Sequence, residues 1–228
     1  MKAVMFKTFL LLAALSSTLT AANELTSARD RQDLAALDRL IAQYKQAAQA
    51  PDAQYKLALA NSYAAEVALE LRDKKKAEAY AQAGIDPAQK AVAGNGTNAE
   101  YHRLLGEICG QIIPANPLLG ALKYGQCARD EIAKALQIDD KLALAYVSRG
   151  VGNYYLPPQM GGGVDQALKD FDKAISLDPK LSDAYLWKGV TLRKANRNPE
   201  ARRALEQAAQ LNPARLWTKQ QLEKTPAQ

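Results

Sequence analysis

Apolar positions along this chain recur with helical rather than strand spacing. Leu34, Leu37, Ile41 and Tyr44 follow an i, i+3, i+4 pattern, which gathers them on one face of a helix. Tyr55, Leu59, Tyr63, Val67 and Leu71 mark a second helix after Pro51. A third spans about Lys74 to Ala93 and is expected to kink or break at Gly84 and Pro87, since proline removes a backbone donor from the ladder. VAGNGTN then reads as a turn. Farther along, the pattern repeats. Ala167, Phe171, Ala174 and Pro179 return 34 residues later as Ala201, Leu205, Ala208 and Pro213. On such a face the alanines let a neighbouring helix approach, and the large residue fills the gap.

The helices just upstream share a different spacing. Ala145, Tyr146 and Gly150 stand 39 residues before Ala184, Tyr185 and Gly189. Five additional residues therefore fall between Gly150 and Ala167, within NYYLPPQMGGGVDQA. This is an insertion in the turn of a helical hairpin. A further copy, Ala128, Ile132, Ala135 and Asp140, lies 39 residues before the second, while Gly106 precedes Gly150 by 44. That copy is expected to place ten additional residues in its own inter-helix turn, within QIIPANPLLGALKYGQ. Repetition at this period signals stacked helical hairpins.

Residues 182–213 resemble a tetratricopeptide repeat, with Tyr185 and Gly189 in the first helix, Ala201, Leu205 and Ala208 in the second, and Pro213 at the close. Residues 143–179 fit once their insertion is allowed. In residues 99–140, His102 takes the usual aromatic place. The resemblance implies an all-α, tetratricopeptide-like helical-hairpin solenoid with enlarged inter-helix turns in two repeats. Residues 23–98 are then N-terminal helices with a degenerate repeat, 99–213 three repeats, and 214–228 a capping helix and tail, with Leu216 and Trp217 expected to cover the last repeat. Over roughly residues 50–215 the chain is also similar to exported bacterial tetratricopeptide proteins, including the component associated with some TRAP-type solute transporters. That likeness implies hairpins around a concave face or pore holding a protein segment or an apolar small molecule.

Residues 1–22 stand apart from this pattern. Lys2 and Lys7 precede an uncharged run from Thr8 to Ala22, whose apolar core Phe9–Leu15 is too short to cross a bilayer. Thr20, Ala21 and Ala22 supply small residues for cleavage. The expectation is a secretory leader cut after Ala22 or Ala21, a periplasmic or secreted protein, and no integral membrane segment after processing. The remainder carries 28 Lys and Arg against 24 Asp and Glu. Apart from Lys74-Lys75-Lys76 this charge is dispersed, so nucleic acid is not an expected partner.

Candidate chemistry points to binding. Positions that the resemblance turns inward include Glu100, Arg103 and Glu107, then Leu144, Val147, Val151 and Tyr154, then Asp183, Leu186, Val190, Arg193 and Lys194. Family members that grip a chaperone's carboxylate tail use a Lys/Asn/Arg clamp there. Val147, Val151, Leu186 and Val190 replace it here, which argues against that function. An apolar stripe with charged ends instead predicts docking of a protein partner or extended peptide segment. Its expected contacts are Val147, Val151, Tyr154, Tyr155, Leu186, Val190 and Arg193. The alternative is a carrier holding an apolar small molecule against Leu118, Leu119, Tyr154 and Met160. An enclosed cavity favours the carrier and an open groove the adaptor.

Cys109 and Cys127, the only cysteines, fall in the two helices of one repeat. In an exported chain they are expected to form a disulfide, with buried free thiols as the alternative. Gly161-Gly162-Gly163 lacks the Gly-Lys-Ser/Thr ending of a phosphate loop and reads as a tight fold-back turn. With His102 as the sole histidine, no catalysis, metal or cofactor is predicted.

Overall fold

The computed structural model describes residues 24–47 and 50–226. The expected leader, residues 1–22, lies outside the described residues. No strand occurs among those described. Helix α1 covers residues 24–30. It is followed by α2 (Leu34–Ala47), α3 (Pro51–Glu70), α4 (Lys74–Gly94), α5 (Ala99–Ala115) and α6 (Pro117–Ile138). Then come α7 (Ala143–Tyr155), α8 (Val164–Leu177), α9 (Ser182–Lys194), α10 (Asn198–Leu211) and α11 (Leu216–Glu223). Consecutive helices pair as hairpins, α3 with α4, α5 with α6, α7 with α8 and α9 with α10. Helices α3, α5, α7 and α9 also touch in sequence, forming the inner layer of a solenoid.

Local chemistry sets the boundaries. Asp73 accepts the Lys76 amide at 3.0 Å to start α4, and Asn98 accepts the Glu100 amide at 3.0 Å to start α5. Pro51 and Pro117 occupy first turns, where a missing N–H leaves nothing unsatisfied. Asp139 and Asp178 shape the turns by accepting the Lys141 and Lys180 amides, each at 2.9 Å. Within the hairpins, Ala167, Phe171 and Ala174 and their counterparts Ala201, Leu205 and Ala208 are all fully buried. The repeated glycines explain the close approach. A Cβ on Gly150 would lie 2.6 Å from the Phe171 ring, and one on Gly189 would lie 2.5 Å from Leu205.

Three expectations change. Helix α4 runs through Gly84 and Pro87 without interruption. Both residues are buried in the hairpin, and Gly84 packs so tightly that a Cβ would sit 3.1 Å from that of Asn61. Tertiary packing here outweighs the proline's local cost. The enlargement between Gln111 and Gln126 takes the form of longer helices. Helices α5 and α6 have 17 and 22 residues against 13 and 14 in α9 and α10, and they meet at a corner on Asn116. They stay in contact up to that corner, because Gly120 lies against the backbone of Ile112 and Ile113. Finally, Leu216 is exposed, while Trp217 and Leu222 cover the last repeat.

The other insertion is a compact turn. Pro158–Met160 form one 3-10 turn, and Gly161 and Gly163 adopt φ of 85° and 96°, conformations that side chains disfavour. The Gly163 amide then donates to the Asn153 carbonyl at 2.8 Å, closing the loop. Within the longer hairpin, Cys109 of α5 and Cys127 of α6 are bonded, with Cα atoms 6.1 Å apart.

Candidate functional site

Helices α3, α5, α6, α7, α9 and α11 surround a cavity of about 980 Å³. Its surface has two different halves. On α3 and α5, polar side chains satisfy one another. Arg103 is buried and donates to Glu100 at 2.6 Å, to Glu107, and to Ser148 of α7 at 3.2 Å. Ser148 and Ser62 both donate to Glu107, at 2.8 and 3.1 Å, and Gln111 donates to Ser62 at 3.0 Å. The Tyr55 hydroxyl donates to Glu100 at 2.9 Å. This network ties three successive inner helices together.

On α7, α9 and α11 the surface is aromatic. Tyr155, Trp187 and Trp217 line the cavity. The Trp187 ring lies 6.4 Å from that of Tyr155 and 5.1 Å from that of Trp217, in tilted and edge-on contacts. Arg193 borders this wall and donates to the Gln221 side chain at 2.6 Å, the Gln221 carbonyl at 3.1 Å and the Thr225 hydroxyl at 3.3 Å. No carboxylate among the described residues pairs with it. The wall therefore presents ring faces beside a cation, a surface for apolar or planar groups.

The two ends of the solenoid meet across the cavity. Arg29 of α1 donates to Asp30 at 2.9 Å and to Asp183 of α9 at 2.8 Å. Arg215, buried just before α11, donates to Glu66 of α3 at 2.7 Å and to Glu70. Asn212 donates to Asp30 at 2.8 Å, and Gln220 donates to Gln32 at 2.9 Å. Burial pushes the Glu70 carboxyl up to about 7 despite Arg215, and it raises Glu66 as well. Burial also opposes the charge on Asp183, but Arg29 and Arg215 overcome it and hold that carboxyl below its ordinary value.

The expected contact residues separate on this surface. Leu186 and Val190, 1% and 5% exposed, lie beneath Trp217 and Leu222 of α11. Val147, 6% exposed, is packed with Ala167, Phe171 and Ala184 and reaches the cavity only at its edge. These three are core rather than an open stripe, Leu186 and Val190 because α11 folds onto them and Val147 because its own hairpin and α9 enclose it. Val151 and Tyr155 line the cavity, whereas Tyr154 packs between the last two hairpins under Lys194. Arg193 tethers α11. Of the alternative set, Met160 is 66% exposed at the cavity rim, and the side chains of Leu118 and Leu119 lie outside the described ones. Trp187 was not among the expected contacts, although an i+4 step from inward-facing Asp183 lands on it. His102 is engaged on both ring nitrogens, by Glu131 at 2.6 Å and the Gly96 carbonyl at 3.0 Å.

Similarity to known proteins agrees with this architecture. The family model described as regulator of microtubule dynamics protein 1-3 matches residues 18–156, and a tetratricopeptide-repeat model matches residues 171–203. Regulator of microtubule dynamics protein 3 of Bos taurus is 25% identical over 178 residues, covering 70% of this chain and 37% of that protein. The chain thus spans little more than a third of that relative's length. Among solved structures, a thermophilic tetratricopeptide protein of Thermus thermophilus aligns with a TM-score of 0.59 at 18% identity, covering 92% of this chain and 95% of that one. The HusA haemophore of Porphyromonas gingivalis aligns with a TM-score of 0.52 at 20% identity, covering 82% and 92%. Both likenesses show a shared helical-repeat fold. The resemblance to a TRAP-transporter component is not confirmed by these relatives.

Proposed function

We propose that this chain, which belongs to the regulator of microtubule dynamics protein 1-3 family, is a non-catalytic binding protein that holds an apolar or amphipathic small molecule in its central cavity. One observation carries the reading. The first and last described helices meet across the concave face and leave about 980 Å³ walled by Tyr155, Trp187 and Trp217. That volume sits at the upper end of small-molecule sites, roughly 300–1,000 Å³. What the bovine relative's name describes is a property of that longer protein, and no microtubule contact is proposed here. We further propose that the protein works outside the cytosol. The leader-like residues 1–22 and the Cys109–Cys127 bond support this placement.

Helical repeats of this type generally serve as protein-interaction scaffolds. A second reading retains that role, with a partner segment docking at the rim where Tyr155 and Met160 are 47% and 66% exposed. Native mass spectrometry of the protein purified from its own compartment separates the two. A mass excess that disappears on denaturation, and that Trp187→Ala abolishes, supports the cavity-bound small molecule. A bare chain mass, or a discrete protein complex that survives Trp187→Ala, overturns it in favour of the adaptor.

A further inference from the structure

We infer that the junction between the two ends of the solenoid is a latch that loosens as pH rises from mildly acidic through neutral, opening one wall of the cavity. The latch is a property of the empty chain and does not depend on what fills the cavity.

The argument begins with charge and geometry. From α1 and the turn after it come Arg29, Asp30 and Gln32. From α3 come Tyr63, whose ring lies 4.8 Å from the Arg29 guanidinium, and Glu66 and Glu70. Helix α9 supplies Asp183, the turn before α11 supplies Asn212 and Arg215, and α11 supplies Gln220. Two guanidiniums thus serve four carboxylates, Asp30, Glu66, Glu70 and Asp183. With every group ionised the junction carries two unbalanced negative charges. Glu107 of α5, itself paired with Arg103, adds a like charge toward Glu66. Packed carboxylates in this excess are relieved either by taking up a proton or by moving apart. Arg215 cannot relieve the imbalance further. Its Nη2 already serves Glu66 and Glu70, while its buried Nε has no hydrogen-bond partner and lies 3.7 Å from Asp30.

Glu70 is the group that takes the proton. Its side chain is almost wholly covered and accepts from Gln32 at 2.8 Å as well as from Arg215. Burial lifts its carboxyl from an ordinary 4.5 to about 7. A carboxyl raised in the closed junction stabilises closure fully below its ordinary value, and that stabilisation is lost as pH climbs through the raised value. Glu66, also raised by burial, acts in the same direction. Asp183 is held low, so its contribution fades only in acid below its ordinary 3.8. The operating window is therefore about pH 4.5 to 7, with closure favoured on the acidic side.

Loosening there has a structural consequence. Arg215 immediately precedes α11, and α11 with the residue after it brings Trp217, Gln221 and Lys224 to the cavity. Release of Arg215 from Glu66 and Glu70 unseats that wall. The buried core shared by α3, α4, α5 and α6 and the Cys109–Cys127 bond are separate from the junction.

The two tryptophans of the chain stand at the affected place, 5.1 Å apart. The test uses the full, ligand-free chain at pH 6 and pH 8. Hydrogen-exchange protection of residues 216–223, corrected for intrinsic exchange, should fall about tenfold at the higher pH. Tryptophan emission should shift to longer wavelength while far-ultraviolet circular dichroism stays constant. Glu70→Gln should keep the acidic-side protection at both pH values. Equal protection and emission at the two pH values would overturn the latch, as would an unchanged pH response in Glu70→Gln. Should that variant fail to fold, the wild-type exchange pattern decides. Loss confined to residues 24–30 and 216–223 supports the latch, and an equal loss across α7 and α8 overturns it.

Discussion

On α3 and α5 the cavity surface carries a network of side chains that consume one another's hydrogen-bonding capacity, while on α7, α9 and α11 it carries rings in tilted and edge-on contact. Arg103 is the clearest member of the first half, with Glu100, Glu107 and Ser148 around it. Trp187 is the clearest member of the second, set between Tyr155 and Trp217. The two halves grow from successive inner helices of one solenoid. A polar network of this kind has geometry to lose and little left to offer a guest. Aromatic faces make no directional demand and remain available. One half therefore holds the repeats in register, and the other is suited to contact.

The largest expected effect breaks the polar half. Arg103→Met leaves Glu100 and Glu107 without their cation and should cost about 4 kcal/mol of stability, measured by urea denaturation. If the loss is below about 1 kcal/mol, the network is not a brace. Next, reducing Cys109–Cys127 frees α5 from α6 behind the polar half. This should lower stability by about 3 kcal/mol while leaving Trp187 emission unchanged. Trp187→Ala acts on the other half. Its side chain is only partly buried, so it should cost about 2 kcal/mol yet abolish retention of any cavity-bound molecule. The smallest stability effect belongs to Tyr155→Ala, within about 0.5 kcal/mol, with weakened binding. A large loss of helicity in Tyr155→Ala would make that ring structural and erase the contrast between the halves.

The repeats themselves were legible in the sequence because their cores are local. Ala167, Phe171 and Ala174 lie within eight residues of one another and declare a helix face at once. The longer α5 and α6 were harder to read, since added residues look alike whether they extend a helix or a turn. The cavity was least legible. Leu186 and Val190 carry the signature of an inward stripe, but α11 covers them. Arg215 reaches Glu66 and Glu70 across 149 and 145 residues of chain. No periodicity reports a contact at that range, so Leu186 and Val190, predicted to meet a partner, meet the protein's own α11. Trp187 was hidden for a related reason. It lies beside Leu186, and only the placement of α11 shows that the tryptophan, rather than the leucine, keeps a face on the cavity.

The meeting of the two ends also changes how such an array should fold. In an open solenoid each repeat senses only its neighbours, and unfolding can creep inward from either tip. Here Arg29 with Asp183, and Arg215 with Glu66 and Glu70, make the first and last hairpins neighbours as well. Among the described residues a linear chain of couplings becomes a circular one, and fraying must first break the closing contacts. The closing contact is also among the farthest apart in sequence, so it carries a large loop-closure cost and belongs late in folding.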